Sequence, residues 1–232
     1  MQLSLRLSAI AEMVTEGNRL VDVGCDHGYL PVYLILEKKI PRAIAADVGK
    51  GPLSRAREHI HQYGLDNYIE TRLSDGLKEI GKEEGDTLVI AGMGGPLMEK
   101  ILTEGEETRK GFRELILQPQ SDIPHVRKFL FENGYHIVNE EMVLEEGKFY
   151  PLMKAVPGKA DREWTEEELE FGKFLLEKCH PVLRQYLERE LRIRKEILEH
   201  LKDAPGASAG QRRQEVEEEK RKILTALKRY EG

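Results

Sequence analysis

The chain has 232 residues, 40% of them hydrophobic and 34% charged, with a formal net charge of −6. That length suits one sizeable α/β domain plus an appendage. No apolar run approaches the roughly 20 residues of a membrane span and no basic-then-apolar leader opens the chain, so a cytoplasmic protein with no membrane partner is expected. Two cysteines without metal-ligand spacing argue against zinc and structural disulfides. The acidity lies in residues 1–158, with 19 Lys and Arg against 25 Asp and Glu, which argues against coating nucleic acid by bulk charge; from His180 onward 13 basic residues face 10 acidic ones, which leaves a local contact open.

Leu3, Leu5, Leu7, Ile10, Ala11 and Val14 recur at helical spacing, and Gly17 with Asn18 reads as the end of that helix. Arg6 sits among these apolar residues, either as a solvated helix residue or as part of a site. Residues 20–30, Leu-Val-Asp-Val-Gly-Cys-Asp-His-Gly-Tyr-Leu, read as a buried strand, a tight turn and a helix start, with the helix continuing to Leu36. Gly24 can turn without a Cβ, Gly28 permits close approach to the first helical turn, and the amides of that turn are expected to face a ligand. Ala43 to Val48 form a second strand. It ends at Asp47, 19 residues beyond Gly28, where nucleotide-binding α/β folds place an acid on ribose hydroxyls.

A helix is expected over 52–63 and a short strand over Ile69 to Leu73. Asp75 after it either accepts from an adenine amino group or serves as a turn and cap residue. Asp86 to Ala91 is a fourth strand running into Gly92-Met93-Gly94-Gly95-Pro96, a loop that opens the sheet beside the first glycine turn, before a helix from Leu97 to Leu102. Leu115 to Gln120 is a fifth strand ending in an amide. A helix from His125 to Asn133 and two strands, Tyr135 to Val143 and Lys148 to Val156, joined by a Glu-Glu-Gly turn, complete the α/β part.

Past Pro157-Gly158 the pattern is helical only, which sets domains of 1–158 and 159–232. Helices are expected over 165–179 and 182–202, the latter striped by Leu183, Leu187, Leu191, Leu198 and Leu201. Residues 203–210 read as a flexible hinge, and Val216, Ile223, Leu227 and Tyr230 mark a helix returning as an antiparallel, coiled-coil-like hairpin. Arg184, Arg189, Arg192, Arg194 and Lys195 are its densest basic run, either a solvated face paired with glutamates or a surface for RNA.

The spacing Asp22-x-Gly24-x-x-x-Gly28 is similar to the first motif of class I S-adenosylmethionine (SAM) methyltransferases, with Asp26 in place of the usual middle glycine; a generic glycine turn is the alternative. Taken with Ala46-Asp47-Val48, Gly51-Pro52-Leu53, Asp75-Gly76-Leu77, Ala91-Gly-Met-Gly-Gly95 and Leu117-Gln-Pro119, the chain resembles the bacterial TrmK family of SAM-dependent tRNA (adenine-22-N1) methyltransferases over residues 1–156. That resemblance implies a Rossmann-like methyltransferase sheet followed by a coiled-coil-like helical domain. It implies SAM held by Asp22, Gly24, Cys25, Gly28, Asp47, Val48, Asp75, Gly76 and Ala91. Catalysis is expected around Asp26, His27, Tyr29, Gly92, Met93 and Gly94, with tRNA bound by Arg6 and the basic run. Cys25 stands where the family usually has threonine, keeping the backbone and losing a hydroxyl. His27 is otherwise a helix N-terminal residue bonded to backbone, and Tyr29 a packed core tyrosine. No metal is expected, and the protein is expected to be a monomer, with a dimer as the alternative. A methyltransferase for another RNA or a small molecule, or a non-catalytic SAM- or RNA-binding module, are the competing functions.

Overall fold

The computed structural model describes residues 1–202 and 206–231. The chain divides into two compact units, Met1–Arg162 and Glu163–Gly232. In the first, β1 (Leu20–Val23), β2 (Ala43–Asp47), β3 (Ile69–Leu73), β4 (Thr87–Met93), β5 (Glu114–Pro119), β6 (Tyr135–Glu145) and β7 (Lys148–Pro157) form one sheet in the order β3-β2-β1-β4-β5-β7-β6. The first five strands are parallel, and β7 lies antiparallel between β5 and β6. Every residue of β1 and of β5 is buried, as a parallel sheet covered on both faces requires. The strand order reverses between β1 and β4, which opens a crevice at their carboxyl ends.

Helices α1 (Leu5–Met13), α2 (Tyr29–Leu36), α3 (Lys50–Gln62), α4 (Gly95–Glu104), α5 (Glu106–Arg109) and α6 (Ile123–Glu132) surround the sheet. The short α5 was not read from the sequence. Helix α1 ends at Met13, where Val14 turns extended, so Gly17 lies in the following turn and is not its cap. Polar ties anchor α1 to distant parts of the sheet: the Leu5 N–H donates to Glu145 Oε1 at 2.6 Å, the Thr15 N–H to Glu114 Oε1 at 2.9 Å, and Lys154 Nζ to the Met13 carbonyl at 2.9 Å. Strand β4 continues to Met93 through a bulge at Gly92, and α4 starts at Gly95, so the glycine loop is shorter than expected. At the β6–β7 turn Glu146 and Gly147 both have positive φ, the two-residue geometry that matches the twist of a hairpin.

The second unit opens with α7 (Glu166–Phe171), capped by Thr165 and Glu168 in a reciprocal box, and α8 (Lys173–Glu177). The single helix expected over 165–179 is broken at Gly172, which adopts φ +94°. Helices α9 (Pro181–Leu201) and α10 (Ala207–Leu227) run antiparallel: Arg213 of α10 donates to the Leu201 carbonyl, and the Tyr230 hydroxyl returns to the His180 carbonyl. Leu183, Leu187, Val216, Ile223 and Ala226 are buried, whereas Leu191, Leu198 and Leu201 are half-buried. Residues 207–210 belong to α10 and not to a hinge; 203–205, the rest of that stretch apart from Gly206, lie outside the described residues.

Candidate active site

A cavity of about 540 Å³ lies at the topological reversal. The turn after β1 contributes Gly24, Cys25, Asp26 and His27, α2 begins with Tyr29, β1 itself contributes Asp22, the end of β4 contributes Ala91 and Gly92, and Leu3 with Arg6 and Leu7 of α1 supplies a wall. Nine residues singled out from separate stretches of sequence are thereby brought together. Leu3, Leu7 and Gln120 were missed as lining groups, because nothing in a local pattern says that the helix carrying Arg6 will close over the reversal point.

Asp22 carries the strongest electrostatic feature. Its carboxyl group is 6% exposed, and burial, then repulsion from Asp47, push its pKa up to about 7, against the pull of Arg6. A buried carboxylate at the wall of a cavity is short of positive charge, which suits a ligand that brings a cation. SAM carries both an ammonium and a sulfonium, charges that the Asp22 carboxylate complements. Cys25 shifts in the same direction: burial and the neighbouring carboxylates of Asp22 and Asp47 raise its thiol pKa, so it packs as a neutral group.

The turn is tied to β2 from its first residues. Gly24, at φ +79°, lies against Met93, whose Cε occupies the place a Cβ would need. Its N–H and that of Cys25 donate to the Ala46 carbonyl at 2.8 and 3.1 Å, upstream of the first helical turn that starts at Tyr29. Asp26 holds φ +47°, the left-handed conformation that the usual glycine would adopt; aspartate tolerates it. Gly28 and Gly76 both hold a left-handed φ, +66° and +61°; a Cβ on Gly76 would also stand 3.1 Å from Ile101 on α4, whereas one on Gly28 would make only ordinary contact with Ala56 on α3.

Gln118, noted in the sequence only as a strand-ending amide, organises the opposite wall. Fully buried, it accepts from Arg6 Nη1 at 3.2 Å and from the Gly92 N–H at 3.1 Å, while its Nε2 donates to the Pro119 carbonyl. The Arg6 guanidinium also lies 5.6 Å from the centre of the Tyr150 ring. Arg6 is thus a cavity residue. Gly92 needs its φ of +77° for the bulge, and a Cβ there would sit 3.4 Å from Arg6 Nη1. Met93 and Gly94 do not line the cavity: Met93 covers Gly24, and Gly94 is the residue preceding α4, facing Ser121.

Around the mouth, Asp26 pairs with Arg55 at 3.0 Å and lies 3.7 Å from His27 Nε2, and the His27 and Tyr29 rings stack at 5.3 Å. Tyr29 is 43% exposed, which excludes the packed-core reading. Outside the cavity but on the same carboxyl edge, Asp47 Oδ1 accepts from the Gly49 N–H at 2.7 Å. Val48 and Leu73 leave apolar surface exposed at the ends of β2 and β3. Asp75 pairs with Lys78 at 2.5 Å, and that hydrogen bond, then its charge, holds the carboxyl below its usual range.

In the helical unit the basic run is largely engaged. Arg184 pairs with Glu188, Arg189 lies 4.0 Å from Glu190, and Arg194 bridges Glu190 and Glu219, each at 2.6 Å, across the two helices. The geometry gives Arg194 a bracing role. Lys195 instead lines a groove with Lys202, Arg213 and Lys220. Among the described residues no cluster of metal-ligating side chains occurs, and no helix is long and apolar enough to cross a membrane.

Comparison with known proteins adds independent findings. Residues 3–153 match the family model described as a methyltransferase domain. A tRNA (adenine(22)-N(1))-methyltransferase of Bacillus subtilis is 34% identical over 222 residues, 94% of this chain and 92% of that protein. A crystal structure of a putative tRNA (m1A22) methyltransferase of Streptococcus pneumoniae in complex with S-adenosyl-L-methionine superimposes with a TM-score of 0.86 at 32% identity, covering 97% of this chain and all of that one. The structure of M. capricolum TrmK in complex with S-adenosyl-homocysteine gives 0.85 at 25% identity, covering 99% of each chain.

Proposed function

Because the chain belongs to the family of tRNA (adenine(22)-N(1))-methyltransferases, we propose that it moves the methyl group of SAM to N1 of adenine 22 in tRNA. The observation that carries this reading is the cavity at the β1–β4 reversal, with the buried carboxylate of Asp22 in its wall. When bound, SAM supplies an electrophilic methyl group on a sulfonium and leaves as a neutral thioether. Asp22 holds the cationic end of the cofactor, and Asp47, through the oxygen not given to Gly49, accepts from the ribose. Asp75 and the apolar edge of Val48 and Leu73 border the adenine.

Adenine N1 already carries a lone pair, so no general base is required, and the protein's work is to hold donor and acceptor in line at near-attack distance. His27 and Tyr29 offer ring faces to the incoming base. As N1 gains the methyl group the ring becomes cationic, and the Asp26 carboxylate and the backbone of Ala91 and Gly92 supply the negative potential that favours it. Arg6, locked by Gln118, walls the base side. The test is incubation with radiolabelled SAM and separated pools of tRNA, rRNA and protein, followed by nucleoside mapping. Label in 1-methyladenosine at position 22 of tRNA is expected; label only in rRNA, protein or a small molecule overturns the proposal.

A further inference from the structure

We propose that the part of an aromatic row lying beyond the His27–Tyr29 pair, at His59 and Tyr63, is a stacking platform for an unpaired base flanking the target adenine, an extension that rests on the RNA-methylation reading above. The row is continuous. His27 stacks on Tyr29 at 5.3 Å, Tyr29 meets His59 edge to face at 4.8 Å, and His59 meets Tyr63 edge to face at 5.1 Å. Its first two members line the cavity, and its last two lie one turn apart on α3, which leads away from the cavity. Tyr29 and Tyr63 keep 43% and 41% of their surfaces in solvent.

A target base cannot meet the methyl group while it remains in a base stack, so its neighbours lose a stacking partner when it is extracted. Exposed aromatic rings beside the mouth restore that contact without regard to base identity, and Arg55, one turn before His59 on the same face of α3, adds a cation for the adjoining phosphate. Arg55 reaches Asp26 through Nη2 and remains 47% exposed. A purely structural account explains only part of the row. The His59 Nδ1–H donates to the His27 carbonyl at 3.1 Å, which braces the glycine turn, but the brace does not need Tyr63 at the far end.

The experiment uses the full chain with Tyr63→Ala and Tyr63→Phe, the wild type as control, and a tRNA transcript carrying 2-aminopurine beside the target adenine. Loss of one base–aromatic stack lowers affinity about 5- to 150-fold, so Tyr63→Ala is expected to raise KM for tRNA by at least about fivefold. SAM affinity stays unchanged, and the 2-aminopurine quenching seen on wild-type binding is lost. Tyr63→Phe, which keeps the ring, restores both readouts. If wild type methylates the transcript but Tyr63→Ala has the same KM and quenching, the platform is refuted. If wild type transfers no methyl group to any RNA, the functional reading fails instead, and the control shows it separately.

Discussion

The two units of this chain treat charge in opposite ways. Along α9 and α10 cations and carboxylates meet one another, as Arg194 does with Glu190 and Glu219, so the helical hairpin settles its electrostatics internally. At the sheet's reversal point a carboxylate is instead buried at a cavity wall with its pKa raised, and an arginine is held on a neutral amide. A surface rich in paired charge is a scaffold signature, whereas a carboxyl group buried in a cavity wall with its pKa raised marks a place for a ligand that brings a cation.

The sharpest way to break this contrast is Asp22→Ala. Removing one member of a buried charge pair costs about 2–5 kcal/mol, so SAM affinity should fall about 30-fold to several thousand-fold by calorimetry; an unchanged affinity would mean that the raised pKa has nothing to do with the cofactor. Asp22→Asn sharpens it through pH. The carboxyl pKa in the SAM-free fold, about 7, lies above its ordinary 3.8, so its contribution to stability is full below that ordinary value and is lost as pH rises through about 7. Wild type should therefore melt progressively lower between pH 4 and 7 relative to Asp22→Asn, and its SAM affinity should weaken below pH 7 while the variant's stays flat.

Asp47→Ala is expected to weaken SAM about 10- to 150-fold, the worth of about 1.5–3 kcal/mol for a charge-assisted hydrogen bond, again by calorimetry. Gly92→Ala forces a Cβ into a left-handed bulge beside Arg6; transfer to tRNA should drop about tenfold, with SAM affinity within twofold of wild type. The helical side yields the smallest effects. Arg194→Ala should lower the stability of the hairpin by about 1 kcal/mol in denaturant melts without changing SAM affinity. Lys195→Ala, which removes a groove cation, should flatten log affinity for tRNA against log salt by under about one unit. An unaltered slope would assign the groove to the scaffold as well.

The sheet was legible because its signals are local: apolar runs that stop at Gly24 and at Asp47 fix strand ends regardless of what packs above them. The bulge at Gly92 was not, since a glycine inside Ala-Gly-Met-Gly-Gly reads equally well as a loop, and what keeps it in the strand is the Gln118 amide that takes its N–H together with the ladder resuming at Met93. Gly172 was passed over inside a helical pattern for the same reason. Asp26, Asp22 and Tyr29 could be placed at the site from the turn alone. Gln118 could not, because its partners lie 112 and 26 residues away. The spacing of His59 and Tyr63 on one helix face was visible in the sequence, but it gained meaning only when the fold set that face beside Tyr29.

The ties that hold α1 also carry a consequence for the order of synthesis. The helix that walls the cavity precedes every strand of its unit, yet beside Lys39, which donates to the Ala11 and Glu12 carbonyls, its anchors are Glu114, Glu145 and Lys154 at the far end of the same unit. Until β6 and β7 have emerged, α1 lacks its ties to Glu145 and Lys154, and Arg6 waits on a Gln118 made more than a hundred residues later. A nascent chain stalled before β7 should therefore lack a finished cavity even with every glycine-turn residue already present, so cofactor capture becomes a report that the whole unit has been made.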